Sequence, residues 1–215
     1  MRALFCAAAF VWCLVPGLSE TVRPSPPVTI VYSFAGPTPE FVLQEIKDEI
    51  RVLLGPSSLW PEWRNRTDVT SSDRFENLVV VDFHGRCRTG PDDSVSKEDQ
   101  PLGRARIVDG EVLPFIEIEC GRVRASLHAA LLRQNQNSDL TLGRALARVL
   151  AHELYHVLAG TTSHSRTGIA KPALSESDLI SNRLEFTPSD MDRMMSPQER
   201  PSPVRLARRE LGFVP

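Results

Sequence analysis

Two hydrophobic periods alternate along this chain, and the switches between them lay out its elements. Val28–Phe34 (VTIVYSF) is β-branched and aromatic, which predicts a strand. Over residues 41–54, Val42, Ile46, Ile50 and Leu53 recur at helical spacing, while Glu45, Lys47, Asp48 and Arg51 fall largely off that stripe. Thr38 reads as the cap of this helix, Pro39 as its first position and Gly55-Pro56 as its stop. Residues 59–77 are polar apart from Trp60 and Trp63 and read as loop. Residues 78–83 (LVVVDF) form a nearly continuous apolar run, the pattern of a buried central strand. A short strand is expected over 103–108. Residues 112–120 alternate from Phe115 to Glu119, and Pro114 points to an edge position.

After a short helical connection over 122–134 comes the longest periodic stretch, residues 141–160. Leu142, Leu146, Val149, Leu150 and Val157 form its apolar stripe, Asp139 or Thr141 can cap its start, and Gly160 suits its stop. Beyond it the chain is loop-like, with short helices expected at 175–181 (cap Ser175) and 187–195 (Thr187-Pro188 at the start). The tail from 196 holds one amphipathic piece at 204–211. No internal repeat is present. The order predicts an α+β fold, with a small mixed sheet on two helices and a small irregular C-terminal part, in one domain over 28–195.

The long helix carries His152-Glu153-Leu154-Tyr155-His156, an H-E-x-x-H pattern. Residues four apart stack on one helix face, so His152 and His156 can aim two imidazoles at one point. Glu153 then sits beside that point, placed to act as general base on a zinc-bound water. Three fixed positions also arise by chance, but here they fall on a helix with another histidine eight residues later.

A zinc site open to catalysis takes three protein ligands. His152, Glu153, His156, Gly160 and His164 resemble the metzincin clan of zinc endopeptidases, whose pattern is H-E-x-x-H-x-x-G-x-x-H. The resemblance implies ligation by His152, His156 and His164, with Glu153 as general base. It also implies a zincin-like fold: a small mixed twisted sheet with an antiparallel edge strand, packed on two helices of which the second bears the motif. In this sequence the glycine comes one residue later than in the clan pattern and the third histidine two. Glu176 is the alternative, since nineteen residues separate it from His156, as in thermolysin-like gluzincins, and Asp178 follows close behind. The clan also places a methionine in a tight turn beneath the metal; Met191, Met194 and Met195 are candidates, with helix-face packing the competing role. His84 and His128 read as ordinary surface or core histidines, Tyr155 as a packing residue and Lys171 as a loop lysine.

Composition adds location and partners. The 215 residues carry a net charge of −2 with no basic block, which gives no footprint for nucleic acid. Residues 1–19 combine one arginine, an apolar run and small residues near Ser19, the layout of a secretory signal too short for a comfortable membrane span. A Pro-rich lead-in over 20–27 follows. Export to the periplasm or outside the cell is expected, with no stable membrane insertion after cleavage. Only Cys87 and Cys120 then remain, most simply as a disulfide, with two free thiols the other option. Asn65-Arg66-Thr67 is a glycosylation sequon, relevant only in a eukaryotic secretory pathway. Taken together, a secreted zinc peptidase is expected, acting on a peptide or protein substrate by zinc-activated water. A non-catalytic zinc- or peptide-binding module is the alternative. The 112–120 strand is expected to receive an extended peptide, with Glu117 and Glu119 favouring basic or polar residues.

Overall fold

A computed structural model describes residues 27–57, 59–90, 101–133 and 138–196. The expected secretory segment, the lead-in before Pro27, residues 91–100 and the tail beyond 196 lie outside the described residues.

Five strands form one sheet: β1 (Val28–Phe34), β2 (Pro61–Asn65), β3 (Asn77–His84), β4 (Gly103–Val108) and β5 (Glu111–Glu119). Their order is β2-β1-β3-β5-β4, parallel except for the antiparallel β4–β5 pair. Two long helices, α1 (Glu40–Leu54) and α4 (Ser138–Leu158), pack on this sheet and on each other. Short helices complete the fold: α2 (Cys120–Ser126), α3 (His128–Arg133), α5 (Glu176–Ile180) and α6 (Pro188–Met195). Among the described residues, no helix is long and apolar enough to cross a membrane.

The core follows from the two periods. Ile30, Val79, Val81, Phe83, Ile116 and Ile118 alternate inward along their strands and are buried with Val42, Ile46 and Ile50 of α1 and Leu142, Leu146 and Leu150 of α4. The helices cross closely at Gly143, where a Cβ would stand 2.8 Å from the Glu45 Cβ and 3.1 Å from the Val42 carbonyl. Any side chain there would push α4 off α1.

Four expectations need correction. Residues 61–65 form β2, a parallel edge strand, rather than loop. Its sequence PEWRN has no apolar alternation, and its strand form comes from pairing with β1 and the edge-on packing of Trp63 on Tyr32. The strand read as the edge, β5, lies inside the sheet, and β4 is the antiparallel edge. Asp109 and Gly110, both at positive φ, close a two-residue hairpin from β4 to β5, the conformation an Asp-Gly pair favours. Pro114 is tolerated because pairing with β3 begins at Phe115 and the β4 register shifts between Ala105 and Ile107. At α1, Thr38 does not cap: its hydroxyl donates to the Gly36 carbonyl, and the helix starts at Glu40. The motif helix starts at Ser138, ahead of both expected caps, and the Asp139 carboxylate accepts from the Thr89 N–H at 2.8 Å and its hydroxyl at 2.6 Å.

Cys87 and Cys120 are paired, with their Cα atoms 4.9 Å apart. The bond joins the turn after β3 to the start of α2, just past β5. Replacing both cysteines by serine is expected to lower the unfolding free energy by about 4 kcal/mol, the chain-entropy value for a sequence separation of 33. Urea titration measures it, and a loss below about 1 kcal/mol would mean that strand pairing alone fixes these ends.

Candidate metal centre

The chain reverses at the end of α4. Gly160, at φ 55°, lets the Thr161 N–H reach back to the His156 carbonyl (3.1 Å) and its own N–H to that of Val157 (3.4 Å), a Schellman turn. This reversal serves the histidines twice. It brings His164 back over the helix, its ring stacked at 5.2 Å on that of His152 and edge-on at 4.8 Å to that of His156. It also aims the Thr161 carbonyl at His156, whose Nδ1 lies 2.7 Å from it. The Ile169 carbonyl takes the same role for His152, 2.8 Å from its Nδ1.

A carbonyl can only accept, so each Nδ1 carries the proton and each Nε2 is a bare lone pair. Those two Nε2 atoms face each other at 3.3 Å. Nitrogens about 2.05 Å from a tetrahedral zinc are themselves about 3.3 Å apart, so the pair has the spacing of two such ligands. One nitrogen from each of His152, His156 and His164 lies within 4.8 Å of the others.

The loop that supplies these carbonyls is itself held. The Ile169 N–H donates to the Glu185 carbonyl (3.1 Å), and the Ser165 N–H to that of Ala170 (2.8 Å). Gly168, at φ 76°, passes so close to the Glu185 carbonyl that a Cβ would come within 2.5 Å of it. The Ser165 hydroxyl donates to the wholly buried Asp190, whose other oxygen caps α6 through the Thr187 N–H and hydroxyl.

Glu153 is 6% exposed, and its Oε2 accepts the Ala105 N–H of the edge strand at 2.8 Å. The approach depends on Gly103, where a Cβ would stand 2.8 Å from Val149, 2.9 Å from Ile118 and 3.2 Å from Glu153 Cγ. Burial pushes the Glu153 carboxyl up to about 7, with the Ala105 bond pulling the other way. It pushes His152 down to about 4 and His156 down as well, the neighbouring imidazoles adding to both. At neutral pH the site therefore presents uncharged nitrogens beside a carboxyl reluctant to ionise. Nearby positive charge relieves both. Next to His152 and Glu153 opens a cleft of about 270 Å³, walled by Leu102, Gly103, Val149, Pro172, Ala173 and Leu174.

Other candidate residues lie elsewhere. Glu176 Oε1 accepts the Ala130 N–H at 3.0 Å, and Asp178 caps α5 and pairs with Lys171 at 2.7 Å, so neither carboxylate joins the three histidines. Tyr155 is buried, its hydroxyl accepting from Arg193 at 3.0 Å, as a packing residue would. Met191, Met194 and Met195 all belong to α6 rather than to a tight turn, the first two buried in the core. The side chain of His128 lies outside the described part of the structure. What the sequence did not disclose are backbone groups: the Ala105 N–H and the Thr161 and Ile169 carbonyls, which have no side-chain signature.

No protein-family model matches this chain, and no curated protein does. Among solved structures it is similar to the crystal structure of archaemetzincin from Methanopyrus kandleri, at 12% identity and a TM-score of 0.47, covering 79% of this chain and 93% of that one.

A test of the burial of Glu153 needs only the metal-free protein. Its folded carboxyl holds a proton up to about 7, whereas the unfolded one loses it near 4.5. The stability this group contributes is thus fully present below 4.5 and is lost as the pH rises through 7. Glu153→Gln keeps the neutral shape and the Ala105 bond. In urea titrations with chelator it is expected to match the parent at pH 4 and to exceed it at pH 8 by on the order of 3 kcal/mol. A difference that does not change with pH would count against the burial argument.

Proposed function

We propose that this chain is an exported zinc-dependent endopeptidase. The observation that carries the reading is the pair of bare Nε2 atoms of His152 and His156, fixed 3.3 Å apart by carbonyl partners, with His164 stacked against them. His152, His156 and His164 would hold the zinc, which when bound supplies a Lewis acid and a water acidic enough to react near neutral pH. Glu153 is the proton carrier. Its Oε2 is tied to Ala105, leaving Oε1 to take a proton from the attacking water and return it to the leaving amine. A carboxyl made reluctant to ionise by burial is suited to holding that proton in transit.

The substrate is an extended polypeptide. Edge strand β4 begins beside the cleft, at Gly103, and can accept a peptide by strand addition. Leu102, Val149, Ala173 and Leu174 favour an apolar side chain in the cleft next to the bond being cut. Glu117 and Glu119 do not act on that peptide in this reading, because β5 is interior and Arg104 already contacts Glu117. The Cys87–Cys120 bond is consistent with an oxidising compartment.

Glu153→Gln is expected to keep its zinc and to lose peptide cleavage by about 10²- to 10⁴-fold, the contribution of a general base. His164→Ala should lose one zinc equivalent that Glu176→Ala retains. Cleavage retained by the Gln variant would sink the mechanism, and zinc lost only with Glu176 would overturn the ligand set. Zinc bound without turnover of any peptide would leave a non-catalytic metal- or peptide-binding module.

A further inference from the structure

The other face of the sheet carries a second convergence of donor groups. Phe83 and Ile118 face the helices, so their strand neighbours face away from them. The register sets Asp82 beside Glu117 and His84 beside Glu119, on that same outer face. One ligand atom from each of His84, Glu117 and Glu119 lies within 4.8 Å of the others, with His84 Nε2 3.9 Å from Glu117 Oε2. Asp82 is engaged elsewhere, accepting from Ser33 and pairing with Arg66 at 2.7 Å.

The backbone beneath these groups is pinned. His84 closes β3, Glu119 closes β5, and the buried Cys87–Cys120 bond clamps the chain immediately beyond both. Two carboxylates and one imidazole thus converge from adjacent strands whose spacing the disulfide holds. Arg104 of β4, the register partner of Glu117, pairs with that carboxylate.

We propose that His84, Glu117 and Glu119 form a second divalent-cation site, for a first-row transition ion such as zinc. The imidazole selects such an ion over calcium or magnesium, and the two carboxylates supply charge. All three side chains are partly exposed, so solvent completes the coordination. Arg104 is the competing counter-ion. An ion pair between exposed side chains is weak, so a divalent ion that meets three donors displaces it from Glu117. Displacement frees Arg104 on the edge strand, one residue before the Ala105 N–H that holds Glu153. The site does not rest on the function proposed for the motif helix.

Equilibrium dialysis of the full chain against zinc chloride at pH 7.5, followed by elemental analysis, tests it. The parent should bind two equivalents. His152→Ala with His156→Ala should retain one, and adding His84→Ala or Glu119→Gln to that pair should remove it, with circular dichroism confirming the fold. Arg104→Gln should tighten the remaining equivalent several-fold. A parent that binds one equivalent, lost with His152 and His156, would overturn the proposal and leave a surface ion-pair network. So would a second equivalent that survives both His84→Ala and Glu119→Gln. A retained equivalent that disappears only with His84 supports this site whatever becomes of the peptidase reading.

Discussion

Two unprotonated imidazole nitrogens 3.3 Å apart repel each other, and the fold holds them there regardless. The constraint is exerted from behind, by two main-chain carbonyls that accept hydrogen bonds from the Nδ1–H groups and so fix both tautomer and ring orientation. The Schellman turn at Gly160, the reversed loop and its anchor on Asp190 can all be traced to keeping those carbonyls in place. Without the turn, Thr161 would not face His156 and His164 would not return to the helix.

The helix has to be as fixed as the loop. Its leucine stripe is buried against the sheet and α1, and glycines at two crossings admit close neighbours. Arg148, 3% exposed and one turn before His152, adds a polar tie: its Nε meets Glu49 of α1 at 2.8 Å and its Nη1 the Asp178 carbonyl at 2.7 Å. A buried cation is costly unless every donor is met, and partners on both sides therefore hold the helix in register. Gly103 does the matching work at the edge strand, letting the carboxyl of Glu153 reach a backbone N–H.

Burial gives the site its chemistry. The environment that keeps His152 and His156 neutral also keeps Glu153 from ionising readily, so three groups wait for one positive charge. On the opposite face the balance is reversed: partly exposed carboxylates lie beside a histidine, and Arg104 counters the charge of Glu117. Sheet register decides both arrangements, since it selects which side chains share a face.

Several parts were legible from local chemistry alone. The stripe of α4 and the four-residue spacing of His152 and His156 depend only on helical period, and the caps at Ser175 and Thr187 only on local hydrogen bonding. Cys87 and Cys120, the cysteines left outside the expected secretory segment, were enough to expect a disulfide, and they are paired. The rest required long-range contacts. β2 has no pattern of its own and exists by pairing with β1; Pro114 points to an edge strand, but the Asp109-Gly110 turn folds β4 onto β5 and leaves β5 inside the sheet. Between His164 and Glu176 spacing could not choose, because a loop of either length can close. The reversal at Gly160 and the attachment of Glu176 to Ala130 place only the histidine beside His152 and His156. Period and capping are properties of a few neighbouring residues, and the sequence determines them by itself. Which carbonyl meets which imidazole is decided only when loop, helix and edge strand pack together.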